Sequence, residues 1–297
     1  MREAKYVLGP MRPPFLLLAP ACVVLGIGTA LRTSGGVNPL EVALVLLGAV
    51  AAHISVNAFN EYCDFRSGLD DLTVRTPFSG GSGSLPEKPE MAASALLTAG
   101  LTLLITAGIG GYFALLRGFA LLPVGLLGLL VIVAYTPWLT HHPVLCLVAP
   151  GVGFGPLMVL GAQFALSGEY SWSAVVASLV PFFLVSNLLL LNQFPDAEAD
   201  RSVGRRHVPI VLGASGGSLV YGLFLLFTFL AILGGVAWAY LPRACLLGLT
   251  TLGLALPTVF GVFRHEGKVE TLIPYLTMNV ILTLVTPVLV AVGLFIG

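Results

Sequence analysis

Apolar residues run through this chain in blocks of about 20, separated by short polar stretches, which is the spacing of helices that cross a bilayer. Nine such spans are predicted, at about 14–32, 39–61, 91–115, 119–138, 143–166, 171–194, 216–240, 243–263 and 271–296. Pro20, Pro123, Pro156, Pro257 and Pro287 fall inside them. They do not veto a helix in lipid, where neighbouring helices satisfy the freed backbone groups. The expected fold is all-α, a polytopic membrane protein forming one domain over residues 1–297.

Composition agrees. The chain is 57% hydrophobic and 9% charged, with a mean hydropathy of +0.98, which excludes a soluble globule of this length. The polar stretch Met1 to Met11 leads into a run long enough to span, so no cleavable signal peptide is expected. Cys22, Cys63, Cys146 and Cys245 have no CxxC spacing and read as inert buried thiols. A formal net charge of zero says nothing about partners, and no nucleic-acid partner is expected. The basic residues are nevertheless unevenly placed. With nine spans, one side holds Arg2, Lys5, Arg12, Arg66, Arg75, Lys88, Arg201, Arg205, Arg206, Arg264 and Lys268, eleven of the fourteen. Arg32, Arg117 and Arg243 lie on the other, so the N-terminus is expected in the cytoplasm of an integral membrane protein.

Two spans end alike on that side. Asn60-Glu61-Tyr62-Cys63-Asp64 closes the second, and Asn192-Gln193-Phe194-Pro195-Asp196 closes the sixth. With Asp70, Asp71, Glu198 and Asp200 these stretches hold seven of the fourteen acidic residues. On a helix, His53, Asn57, Asn60 and Asp64 form one stripe, and Asn192, Asp196 and Asp200 another. Carboxylates at the ends of apolar segments call for a cation, and an all-oxygen donor set suits Mg²⁺ completed by phosphate oxygens. The candidate metal ligands are Asn60, Asp64, Asp70, Asn192, Asp196 and Asp200, with Asp64, Asp196 and Asp200 the candidate catalytic residues.

Arg66, Arg75, Arg201 and Arg205 flank these motifs and are candidate diphosphate contacts, with solvated ion pairs as the plainer reading. The glycine-serine loop 75–84 between them is either an anion cradle or a connector. A diphosphate head on a long hydrocarbon tail, a polyprenyl diphosphate, fits such a site at the end of apolar helices. Bond cleavage would leave an allylic cation that aromatic faces can stabilise. Tyr62, Phe78, Tyr135 and Tyr275 are wall candidates, and His53 and Asn57 are candidates for the acceptor pocket.

These residues resemble the UbiA superfamily of intramembrane prenyltransferases, over roughly residues 10–213. The first motif, Asn60-Glu61-x-x-Asp64-x-x-x-Gly68-x-Asp70, is similar to that family's Asn-Asp-x-x-Asp-x-x-x-Asp with its last acid moved two positions. Asp196-x-x-x-Asp200-x-x-x-Gly204-Arg205-Arg206 is similar to the second motif, and Arg12-Pro13 and Tyr135-Thr136-Pro137 also resemble family segments. The resemblance implies nine helices around a central cavity, capped on the cytoplasmic side by two Asp-rich loops. It implies Mg²⁺-dependent prenyl transfer to a small aromatic acceptor.

Gly68 with Asp70 resembles the branch that prenylates 1,4-dihydroxy-2-naphthoate with loss of CO₂ in menaquinone synthesis. The stretch Trp138 to Pro143, with His141 and His142, departs from that branch. Acceptors for another quinone, haem or ether lipids therefore stay open. A cation-coupled transporter is the distant alternative, and would place carboxylates near mid-span.

Overall fold

In the computed structural model, residues 2–73, 75–76, 78–265 and 269–297 are described, so Met1, Pro77 and Lys268 lie outside the described residues. Within them the chain is helical, without strands. Eight helices are long and apolar enough to cross a membrane: α1 (Pro13–Ser34), α2 (Pro39–Arg66), α3 (Pro89–Arg117), α5 (Pro143–Ser167), α6 (Trp172–Ser202), α7 (Val208–Ala237), α8 (Arg243–Arg264) and α9 (Glu270–Ile296). A shorter apolar helix, α4 (Phe119–Ala134), completes the expected set of about nine.

Local chemistry sets the helix starts. Asn38 accepts a hydrogen bond from the Leu40 amide at 2.9 Å and Pro39 opens α2. Ser171 caps α6 through the Ala174 amide. The ends differ more from expectation. Helices α2 and α6 continue beyond 61 and 194 into their polar motifs, because loss of hydrophobicity does not itself stop helical hydrogen bonding. In α6 the helix even passes Pro195, which leaves the Leu191 carbonyl without its usual donor. By contrast, α4 stops before Tyr135, since Pro137 disfavours helical backbone at the residue before it. Gly213 (φ 72°, ψ −179°) breaks the first turns of α7 from the rest, near the predicted start at 216.

Packing closes the bundle on itself. Among the described residues α6 is the most buried helix, packed between α5, α7 and α9, while α1 packs against both α5 and α9. Where α1 crosses α5, a Cβ on Gly26 would lie 2.6 Å from that of Ala162, so only a small residue lets the backbones approach. A buried polar knot joins α6, α7 and α9. Asn187 donates to the Tyr221 carbonyl (2.8 Å), the Tyr221 hydroxyl to Asn279 Oδ1 (3.0 Å) and the Asn279 amide to the Asn187 carbonyl (3.4 Å).

Candidate active site

The helices line an apolar cavity of about 480 Å³, and a smaller polar cavity of about 110 Å³ lies at its motif end. Six residues line both: Arg12, Asn60, Phe78, Tyr135, Leu189 and Asn192. The two spaces are therefore one pocket with a polar end and an apolar end.

The polar end is built from the tips of α2 and α6. The Asn60 side chain is held by Thr136 (3.2 Å) and by Arg12 (3.2 Å). Asp64, one turn later, is buried and paired with Arg205. Gly68 then adopts φ 76°, a conformation only glycine takes freely, and ends the helix. The chain turns into a short helix, Leu69–Leu72, that returns the buried Asp70 to the cavity. A straight helix would instead have carried the Asn60–Asp64 face through position 68. The shifted acid of the first motif is thus a turn, and the turn places the carboxylate. Burial pushes the Asp70 carboxyl up to about 7, with the nearby Glu61 and Asp64 adding to the effect.

Across the pocket, Asp200 divides its oxygens between two partners. Oδ1 accepts from Arg205 at 3.0 Å and Oδ2 faces His207 Nε2 at 2.9 Å. Burial alone would lower the Arg205 pKa, but the carboxylates of Asp64 and Asp200 outweigh it and raise it above the ordinary value. Arg205 therefore joins the two motifs electrostatically. Other oxygens are left without partners. Asp70 Oδ2, Asn192 Oδ1 and Asp196 Oδ1 are buried, line the polar end and receive no hydrogen bond from the described residues.

The glycine-serine loop folds over this end. Ser82 donates its amide to Glu61 Oε1 at 2.9 Å and its hydroxyl to the same carboxylate, which Arg12 also holds at 3.2 Å. Gly81 (φ 71°) passes so close that a Cβ there would lie 2.9 Å from Asp70 Oδ1. At the loop's far end Lys5 bonds Glu87 at 2.8 Å, tying the N-terminal helix Arg2–Leu8 to it.

Of the residues predicted from sequence, Asn60, Asp64, Asp70, Asn192, Asp196, Asp200 and Arg205 line the polar end. His53, Asn57, Phe78 and Tyr135 line the apolar cavity. His53 packs edge-on to Phe154 at 4.7 Å, and Asn57 donates to the Met11 carbonyl at 3.1 Å. Arg66, Arg75 and Arg201 are exposed and outside both linings, and Arg201 donates to the Ile210 carbonyl instead. Tyr62 and Tyr275 also lie outside, with Tyr275 stacked on His265. His141 and His142 sit at the turn after α4, and Trp138 packs against His142.

Three residues at the site were not among the expected ligands: Arg12, Glu61 and His207. Arg12 had a signal in the Arg-Pro pair before α1, and Glu61 in the motif itself. His207 had none beyond its place after the basic pair.

Comparison with known proteins agrees with this geometry. The chain is similar, at 29% identity over 99% of its length and 98% of the relative's, to 1,4-dihydroxy-2-naphthoate octaprenyltransferase of Mycobacterium tuberculosis. It is 30% identical to protoheme IX farnesyltransferase of Gloeobacter violaceus, over 72% of this chain and 69% of that one. The fold matches a UbiA homologue of Archaeoglobus fulgidus solved with DMAPP and Mg²⁺, at a TM-score of 0.68 and 15% identity, covering 96% of this chain and 99% of the other. The sequence profile of the UbiA prenyltransferase family covers residues 17–281, and this chain belongs to that family as an integral membrane prenyltransferase.

Proposed function

We propose that this enzyme transfers a polyprenyl group from an isoprenyl diphosphate to 1,4-dihydroxy-2-naphthoate. The observation that carries the reading is the continuity of the pocket: unpartnered carboxylate and amide oxygens at one end open directly into an apolar cavity of about 480 Å³. A diphosphate head and a hydrocarbon tail need those two environments side by side. The naphthoate acceptor is supported by the full-length similarity to naphthoate prenyltransferases and by the Gly68–Asp70 turn.

Asp70, Asn192 and Asp196 present the oxygen donors that fit Mg²⁺. Among the described residues no three His, Cys, Asp or Glu side chains form a metal cage by themselves. That suits an ion which takes one or two carboxylates and completes its shell with substrate oxygens. When bound, Mg²⁺ would offset the charge gathering on the leaving diphosphate.

The protein's own groups do the rest. Arg12 and Arg205 are the guanidinium groups lining the polar end, within reach of diphosphate oxygens. The allylic carbon–oxygen bond breaks with its electron pair going to diphosphate. Phe78 and Tyr135, at the junction of the two cavities, present aromatic surface to the allylic carbon and exclude water. The ring carbon that bears the acceptor's carboxylate bonds to that carbon, and the carboxylate leaves as CO₂, its bonding pair restoring the ring. On the basic-residue asymmetry, the N-terminus and the motif loops face the cytoplasm.

The test is mass spectrometry of products from membranes given labelled geranylgeranyl diphosphate, Mg²⁺ and 1,4-dihydroxy-2-naphthoate. The expected product has gained the tail and lost CO₂. The similarity to haem farnesyltransferases supports a second acceptor class, so protohaem belongs in the same screen. Prenylation of protohaem alone would replace the naphthoate reading, and no transfer from any donor would overturn both.

A further inference from the structure

Polar side chains on the wall of the apolar cavity are few, and all but one have an evident place. Arg12, Asn60, Tyr135 and Asn192 belong to the polar end that the two cavities share. Asn57 donates to the Met11 carbonyl, and Thr106 to the Gly48 and Thr102 carbonyls at 3.2 and 2.9 Å. His53 remains. It is 5% exposed, its Nδ1 is buried, and it makes no hydrogen bond to the described residues. A buried imidazole without a partner costs free energy, and a leucine or phenylalanine would fill the same space without that cost.

The contact that His53 does make is fixed by the fold. Phe154 meets it edge-on at 4.7 Å, with the rings 77° apart. Phe154 stands in a turn of π-helix, Gly153–Leu157, where Pro156 lacks the amide that the Val152 carbonyl would take. Behind that turn a Cβ on Gly155 would lie 2.6 Å from the Ser178 carbonyl oxygen of α6, so the turn is seated against its neighbour. His53 and Phe154 thus make a set corner of one polar ring and one apolar ring. A hydrocarbon tail takes nothing from the imidazole, and the exposed Leu122 and Leu126 of α4 leave it another side of the cavity. A flat aromatic acceptor bearing a hydroxyl uses both rings.

The corner also lies at a suitable depth. His53 is seven residues from Asn60 and eleven from Asp64, about 10 and 16 Å along α2. A diphosphate, the bond to be formed and one aromatic ring, laid end to end, span a distance of the longer kind. In 1,4-dihydroxy-2-naphthoate one hydroxyl neighbours the carboxylate and bonds to it internally. The other, across the ring, is free to donate, and a neutral imidazole offers one nitrogen that accepts.

We propose that His53 accepts a hydrogen bond from the acceptor hydroxyl remote from the carboxylate, with Phe154 against the ring, and so aims the carboxylate-bearing carbon at the allylic carbon. The proposal rests on the naphthoate reading above. His53 is then a specificity residue for the acceptor and takes no part in holding the donor.

Steady-state kinetics with Mg²⁺ and geranylgeranyl diphosphate, on purified protein in detergent, test it. The probes are 1,4-dihydroxy-2-naphthoate as substrate and 1-hydroxy-2-naphthoate, which lacks the remote hydroxyl, as competitor. His53→Phe is expected to raise KM for the dihydroxy acceptor about tenfold, the loss of one buried hydrogen bond, while the competitor's inhibition constant and the donor KM stay within about twofold. His53→Asn, whose side-chain oxygen also accepts, is expected to keep the acceptor KM within about threefold of wild type. His53→Leu carries the same comparison if the phenylalanine variant does not fold.

If the apolar variants weaken both compounds equally, or neither, His53 does not read the remote hydroxyl and the proposal falls. If wild-type protein prenylates protohaem and not 1,4-dihydroxy-2-naphthoate, the naphthoate reading fails first, and the proposal with it.

Discussion

Asp196 and Asp200 sit one helical turn apart, yet they are not equivalent. Asp200 is committed to Arg205 and His207, whereas Asp196 keeps a buried oxygen without a partner among the described residues. Two substitutions separate these roles. Asp196→Asn is expected to lower turnover by roughly a hundredfold or more, as loss of transition-state electrostatics does, with little change in thermal unfolding. Asp200→Asn is expected to lower stability as well, by about 3 kcal/mol, because it breaks a buried ion pair and leaves Arg205 under-compensated. A melting series in detergent read beside activity distinguishes them, and equal melts for the two variants would refute the division.

Asp70 adds a pH signature. Its carboxyl is raised to about 7, so the folded protein holds the proton more tightly than the unfolded chain does. Without a divalent cation, that contribution to stability is present at acid pH and is lost as pH rises toward about 7. A bound cation must displace the proton. The Mg²⁺ concentration for half-maximal rate should therefore rise as pH falls below 7, and less steeply in Asp70→Asn than in wild type. Parallel profiles for the two proteins would exclude Asp70 as the group responsible.

At the scale of elements, the site depends on a loop that is tied down at several points. Glu61 is fully buried and links α2, Arg12 and Ser82. Glu61→Gln would exchange a charge-assisted set of hydrogen bonds for neutral ones, which are about half as strong. Faster hydrogen exchange at the Ser82 amide is the expected outcome, together with weaker donor binding. An unchanged exchange rate at that amide would mean the loop is held elsewhere.

The same elements explain what could be read from sequence. Asn192, Asp196 and Asp200 were legible as one face because helical spacing holds through Pro195. The arginines were not. Arg66 and Arg201 lie in the last turn of their helices and face outward, while Arg205 follows Gly204 (φ 82°), which turns the chain back toward Asp64. Adjacency to a motif gave all of them the same signal. Only the backbone path separates them.

For the whole molecule, the open structural question is whether α4 crosses the bilayer. Its length, from Phe119 to Ala134, is about 24 Å at helical rise, short of the roughly 30 Å of a hydrocarbon core. Length alone would remove it from the count. The ion pair between Arg205 and Asp64 restores it. Asp64 ends α2 and Arg205 follows α6, so the intervening helices α3 to α6 must return the chain to the same face, which takes an even number of crossings. With α4 included there are four. Local thinning and polar flanks accommodate such a mismatch at modest cost. The resulting topology puts Gly118, between α3 and α4, on the face opposite Arg66 and Ser202. Single cysteines at these positions can be labelled with a membrane-impermeant maleimide, after replacing the partly exposed Cys63. Positions 66 and 202 are expected to label together from the cytoplasmic side, and position 118 only from the other. Labelling of position 202 together with 118, on the side opposite 66, would show that α4 does not cross, and would break the agreement between the topology and the Arg205–Asp64 pair.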